Sequence, residues 1–241
     1  MKLKKNYVLN IKNILFVLFA LFIIIIILYL SSILYLYYNN SIENLMNEIK
    51  NKKILIVGNG PSALSKIREN INKLYDIIIR INKKDYDKKY KKYIGSKTNI
   101  CVYGPYRYLL KLYKDDINKK KIIIYKGILD ILIFPFINFS NIILGFYNSK
   151  YYKNNYTYYV NFFDSKLITN NNFKIPTTGI SLLYLLNKYN IKYDIMGFDS
   201  LMNKNIDYIH YDNSKAVLKE IHNFNKEYDY FQKIKKNVKI I

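Results

Sequence analysis

The chain has 241 residues and sets 39 Lys and Arg against 17 Asp and Glu, for a formal net charge of +22. A single cysteine, Cys101, and two histidines, His210 and His222, exclude an intramolecular disulfide, a cysteine-based metal cluster and an all-histidine metal site. The lysines are scattered through "KKDYDKKYKKY", "NKKK" and "KIKKNVK" rather than gathered in a nucleic-acid motif, so no nucleic-acid partner is expected; most of the charge reads as a solvated face plus A/T-rich codon bias, and the remainder as attraction to an anionic ligand.

The first element is an apolar run from Ile14 to Tyr38, broken only by Ser31 and Ser32. At about 1.5 Å per residue it would span roughly 36 Å, enough to cross a bilayer with some tilt. Lys2, Lys4, Lys5 and Lys12 precede it and hold the short N-terminus on the cytoplasmic side, while Tyr35, Tyr37 and Tyr38 suit the far interface. The run is too long for a cleaved signal peptide and lacks a small-residue cleavage site. The expected organisation is a cytoplasmic tail over 1–13, a transmembrane anchor over 14–38, a stalk over 39–51 and one domain over 52–241 on the luminal or exterior side of a single-pass type II membrane protein. Sequons at Asn39, Asn138 and Asn155 fit that side, but so Asn-rich a chain supplies about as many by chance.

Beyond the stalk, short apolar runs alternate with helical patterns. "ILIV" (Ile54 to Val57), "DIIIRIN" (Asp76 to Asn82), "NICVY" (Asn99 to Tyr103), "KIIIYK" (Lys121 to Lys126) and "YDIMGF" (Tyr193 to Phe198) read as buried strands. "PSALSKIRENINKL" and "PTTGISLLYLLNKYN" read as helices with plausible N-terminal caps. The alternation predicts an α/β fold, a single Rossmann-like domain with a mainly parallel sheet flanked by helices, its ligand beyond the carboxyl ends of the strands. The stretch Ile128 to Phe173 is Tyr/Asn-rich and carries no clear period.

The first turn, Gly58-Asn59-Gly60-Pro61-Ser62-Ala63, matches the G-x-G-x-x-A dinucleotide fingerprint. Such a site wants an acidic residue at the end of the second strand. Arg80 and Asn82 stand there instead, which leaves NADP open but weakens the oxidoreductase reading. Glycines that let a backbone approach an anionic ligand remain. "DYD" (Asp85 to Asp87) has the shape of a D-x-D metal motif but sits in a lysine run. Further on lie "HYDN" (His210 to Asn213) and "HNFNKE" (His222 to Glu227).

Four of these pieces, in order, resemble the animal-type sialyltransferases of glycosyltransferase family 29. "VGNGPSAL…DIIIRIN", continued by "YIGSKTN" (Tyr93 to Asn99), is similar to the large sialylmotif. "IPTTGISLLYLL" with "YDIMGFD" is similar to the small one. "HYDN" is similar to the third motif, one residue short, and "HNFNKE" matches H-x4-E. The Gly-Asn-Gly-Pro-Ser loop also resembles the bacterial sialyltransferases of family 42.

The resemblance implies the GT-A-variant sialyltransferase fold and an inverting transfer of sialic acid, or a related acidic sugar, from its CMP donor to a hydroxyl of an acceptor glycan on glycoprotein or glycolipid. By resemblance His222 is the general base and His210 meets the donor phosphate. Gly58, Asn59, Gly60, Asn82, Thr177, Thr178 and Gly179 bind the donor. Glu227, five residues after His222, falls off the shared helix face and is expected to orient neighbouring elements. The resemblance implies no metal and no cofactor beyond the CMP-sugar substrate, and a Golgi location if the source is eukaryotic. Family members join the large and small motifs by a disulfide. The matching positions here lie near Ile54 and Tyr193, neither is cysteine, and apolar packing must replace the link. A catalytically inactive glycan- or nucleotide-binding relative, and less readily a NADP- or FAD-binding oxidoreductase, stay open.

Overall fold

The strand-forming runs are apolar without alternation because both of their faces are covered. In the computed structural model, which describes residues 11–27, 31, 42–82, 88–104, 120–124, 157–160, 176–203 and 222–241, they form one parallel sheet. Its strands are β1 (Ile54–Val57), β2 (Ile77–Ile81), β3 (Ile100–Tyr103), β4 (Lys120–Ile124), β5 (Thr157–Val160), β6 (Tyr193–Met196) and β7 (Val238–Ile240). The order is β5-β4-β3-β2-β1-β6-β7, and every pairing is parallel. The chain builds outward from β1 to β5, then returns to pair β6 on the other side of β1. That reversal is a topological switch point, where an open α/β sheet leaves a crevice at its carboxyl edge.

The helices are α1 (residues 11–27), α2 (Ile42–Ile49), α3 (Ile71–Leu74), α4 (Lys91–Ile94), α5 (Thr178–Lys188), α6 (Asp199–Met202) and α7 (Phe224–Ile234). On one face of the sheet α2, α5 and α7 bury Leu45, Met46, Leu182, Leu186 and Phe231 against Ile54, Ile56 and Ile79. On the other, α3, α4 and the 3-10 turn Pro61–Leu64 bury Ile71, Ile94 and Ala63 against Leu55, Val57 and Ile78.

Two segments differ from what the sequence predicts. The stretch expected as a stalk carries α2, whose Ile42, Leu45, Met46 and Ile49 follow helical spacing and are all buried, so it is part of the core. The helix expected after the first turn is broken into the 3-10 turn and α3. Arg68 turns its guanidinium back onto the carbonyls of Ala63 (2.9 Å) and Lys66 (3.0 Å), and its N–H donates to Lys92 O (2.7 Å), so the chain is held across to α4 instead of continuing as helix. At the N-terminus the described residues 11–27 form α1, on which Ile14, Leu15, Phe16, Phe19 and Phe22 are exposed; the rest of the expected anchor, apart from residue 31, lies outside the described residues. Among the described residues no helix is long and apolar enough to cross a membrane.

Candidate functional site

The turns that follow β1 and β6 meet at the switch point. Gly58 N–H donates to Met196 O and Gly60 N–H to Gly197 O, each at 2.8 Å. A Cβ on Gly58 would lie 2.3 Å from Gly197 O, and one on Gly197, at φ +70°, 2.9 Å from Gly58 O. Both positions therefore need glycine, for close approach and at Gly197 also for the left-handed backbone. Asp199 closes the joint: its carboxylate accepts from Ser62 N–H (3.2 Å) and Ser62 Oγ–H (2.9 Å). The large and small motifs, expected to rely on apolar packing in place of a disulfide, are thus joined by a strand ladder, Leu55 opposite Asp194 and Ile56 opposite Ile195, and by this clasp.

The same geometry redefines the loop's glycines. The amides of Gly58 and Gly60 are taken up by the β6 turn, so an anion would not meet them as the dinucleotide pattern implies. The polar group left at this turn is Asn59. It is 8 % exposed, its Nδ2 donates to Ile81 O (3.1 Å), and among the described residues its buried Oδ1 has no hydrogen-bond partner. A buried amide oxygen without a partner is costly unless a ligand supplies a donor.

Arg80, which the NADP reading needed at a phosphate, is fully buried. Its Nη2 donates to the carbonyls of Ile94 (2.7 Å) and Gly95 (3.1 Å), and its Nε to Thr98 Oγ1 (3.0 Å) and Lys97 O (3.2 Å). It caps the carboxyl end of α4, where a cation is favoured. The segment Gly95 to Asn99 is pinned from further sides. Lys97 Nζ donates to Tyr75 O and Asp76 O, Asn72 Oδ1 accepts from the amides of Ser96 and Lys97, and Asn99 Oδ1 accepts from Ile78 N–H. The two parts of the large motif are one structural clasp, and the position that would bind a 2′-phosphate is closed.

Asn82 ends β2 in a left-handed conformation, φ 46°, which Asn tolerates better than most residues. Its N–H donates to Val102 O (2.7 Å) and its Oδ1 accepts from Gly104 N–H (3.4 Å). Across from it, the start of α5 lies over the ends of β2 and β3. Thr178 Oγ1 is 3.4 Å from where a Cβ on Gly104 would be, and a Cβ on Gly179 would meet Phe198 at 3.0 Å and Ile81 at 3.5 Å.

Thr177 is the N-cap of α5, its Oγ1 accepting from Ile180 N–H at 3.3 Å. Its N–H and its hydroxyl both donate to Glu227, at 2.7 Å each. Glu227 is fully buried in the first turn of α7, which is capped by Asn223, Oδ1 accepting from Lys226 N–H at 3.3 Å. His222 immediately precedes that cap, half-buried, with its ring 5.5 Å from Phe224. Asn59, Asn82, Thr178 and Gly179 therefore gather at one carboxyl edge, and Thr177 and Glu227 tie that edge to the turn that carries His222. Beside this junction the Tyr230 phenol on α7 is pushed up to about 12, first by burial and then by the neighbouring Tyr184.

His210, Asp85 and Asp87 lie outside the described residues. Among the described residues no three His, Cys, Asp or Glu side chains gather as a metal site. A cleft of about 660 Å³ lined by Leu64, Lys89, Tyr90, Lys91, Lys92 and Tyr93 opens beside α4, on the opposite face of the sheet from α5 and α7. Glu227 and Asp199 are the site-forming residues whose partners sequence reasoning did not find. Glu227 was visible only as the end of H-x4-E, and Asp199 only as the residue after a Gly-Phe strand end.

A family model described as glycosyltransferase family 29 (sialyltransferase) matches residues 30–239. Among solved structures, a crystal structure of a mammalian sialyltransferase superposes with a TM-score of 0.55 at 15% identity, covering 79% of this chain and 68% of the other. A mammalian sialyltransferase in complex with Gal-beta-1-3GalNAc-ortho-nitrophenol gives 0.53 at 12% identity, covering 81% and 71%. At these identities the likeness is one of fold. No curated protein matches the sequence.

Proposed function

The chain belongs to glycosyltransferase family 29, the sialyltransferases, and from that membership we propose that it moves sialic acid, or a related acidic sugar, from a CMP donor to a hydroxyl of an acceptor glycan, inverting the anomeric centre. The observation that carries the reading is the junction of Asn59, Asn82, Thr178 and Gly179 at the switch point with the His222 turn behind it. The unpartnered Asn59 Oδ1 is suited to a donor group on the nucleotide. The start of α5, whose N-cap amide and hydroxyl are held by Glu227, brings Thr178 and Gly179 to the same crevice.

In the proposed reaction the acceptor oxygen attacks the anomeric carbon as the bond to the CMP phosphate oxygen breaks. His222 takes the proton from the acceptor hydroxyl, a general-base role that an imidazole can fill. The bonding pair of the broken C–O bond leaves with CMP, whose phosphate charge His210 would balance. An oxocarbenium-like transition state asks mainly for placement and charge stabilisation, and the resemblance implies that no metal is needed for it. The acceptor is proposed to end in galactose, in keeping with the galactose-containing ligand of the second mammalian structure. The apolar side chains exposed all along α1 support a membrane anchor, with the domain on the luminal side and a Golgi location in a eukaryote.

Incubation with CMP-sialic acid and a galactose-terminated acceptor should release CMP, and His222→Ala should lower kcat by about 10²- to 10⁴-fold. Equal turnover by both proteins across several CMP-sugars would remove His222 as the base. CMP binding without turnover in the wild type would make the chain a non-catalytic relative instead.

A further inference from the structure

Glu227 is the one fully buried carboxylate among the described residues. An ionised carboxylate is costly to bury unless paired or fully hydrogen-bonded. Here both oxygens are engaged by a single residue fifty positions earlier: Oε1 accepts from Thr177 N–H and Oε2 from Thr177 Oγ–H, both at 2.7 Å. The Thr177 hydroxyl in turn accepts from Ile180 N–H, so donor, acceptor and cap functions of one threonine are all in use. The carboxylate also lies at the positive end of α5, where a negative charge is favoured. On its own helix Glu227 is anchored by Glu227 N–H to Asn223 O at 3.1 Å, and Asn223 is the next residue after His222. Two short bonds therefore connect the cap of the donor-facing helix to the first turn of the helix whose preceding residue is the imidazole.

The geometry points to Glu227 as a positioning residue: its carboxylate is a strut that fixes His222 relative to the start of α5. This rests on the proposed transferase reading for its effect on turnover. The strut does not touch the reacting atoms. It sets the separation between the group that takes the proton and the turn that holds the donor, and misplacement of about 1 Å at such a distance costs on the order of 10²-fold in rate.

Glu227→Gln is nearly isosteric and retains an oxygen to accept from Thr177 N–H. It should lower kcat by about 10- to 100-fold while the KM for CMP-sialic acid changes far less, the split expected when an interaction acts on the transition state. Thr177→Val should reproduce the loss, Thr177→Ser should restore nearly all of the rate, and the double variant Glu227→Gln/Thr177→Val should be no slower than the slower single variant. Losses that multiply, an unchanged kcat, or a rate that falls only in proportion to the folded fraction would overturn the strut.

A second readout does not depend on turnover. With two histidines in the chain, the His222 ring resonance can be assigned by its loss in His222→Ala. In the ligand-free protein Glu227→Gln and Thr177→Val should each shift it. An unshifted resonance in both folded variants would overturn the strut, whereas a shifted resonance in a protein that turns over no CMP-sugar would keep the strut and defeat the transferase reading.

Discussion

The two joints at the carboxyl edge of the sheet are built on opposite principles. The joint between the Gly58 and Gly197 turns is made mostly of backbone: two amide-to-carbonyl bonds at 2.8 Å and two glycines with no room between them. The polar part of the joint between α5 and α7 is the Glu227 carboxylate bound to Thr177, beside the Tyr184–Tyr230 ring contact and the packing of Phe231. The first fails when an atom is added, the second when a charge is taken away. A sheet-borne turn can thus hold a loop rigid without any distinctive side chain, whereas two helices packed side by side use a buried polar pair to fix their register.

The largest expected contrast between the joints is in stability. Gly58→Ala would put a methyl 2.3 Å from Gly197 O, backbone that cannot swing away. Overpacking of this kind should cost about 3 kcal/mol, read as a lower midpoint in chemical or thermal unfolding. The Glu227 substitutions, by contrast, should show chiefly in turnover. A Gly58→Ala protein as stable as the wild type would mean that the first joint is not held as tightly as its contacts imply.

A smaller effect is expected at the rim of the same joint. Ser62→Ala removes the hydroxyl bond to Asp199 but leaves the amide bond, and Ser62 is exposed, so about 0.5–1 kcal/mol should be lost. An unfolding midpoint that falls as far as in Gly58→Ala would show that side chains, not backbone, carry this joint.

An effect of similar size at neutral pH lies at the other end of the β1–β6 ladder, where Tyr75 OH donates to Asp194 at 2.7 Å. Burial first, and then that hydrogen bond, raise the Tyr75 phenol above its ordinary value. The folded chain keeps this proton above about pH 10, where the unfolded chain gives it up. The associated stability is therefore complete below about pH 10 and is lost as the pH climbs toward the raised folded value. Tyr75→Phe should cost about 1 kcal/mol at pH 7 and should flatten part of the alkaline fall, as melts between about pH 8 and pH 11 would show. An alkaline limb identical to wild type would assign that fall to other groups, such as Tyr193 and Tyr230, whose phenols are also raised by burial.

What the sequence disclosed followed physical visibility. Five strands could be read because continuous Ile and Val runs have one common explanation, burial on both faces; β5 could not, since "TYYV" sits in a background equally rich in Tyr. The α5 cap was readable from Pro176 and Thr177, but its partner Glu227 was not, because nothing in a linear spacing of fifty residues marks a bond. Arg80 was read toward a phosphate because its position in the strand is all that sequence shows; burial turned it inward, onto the carboxyl end of α4. The stalk concealed α2 because eight residues give too few helical periods to stand out beside a longer apolar run. His210 lies outside the described residues, so its role stays with the proposal.

The return of β6 to the flank of β1 also dictates an order of assembly. Strands β1, β2 and β3 lie next to their sequence neighbours and can associate over short loops, but the pairing of Leu55 with Asp194 must close a loop of well over a hundred residues. During synthesis the Gly58 turn should therefore wait, unfinished on one side, until the segment beginning at Tyr193 has left the ribosome, and the crevice at the switch point should be among the last features of the domain to take shape.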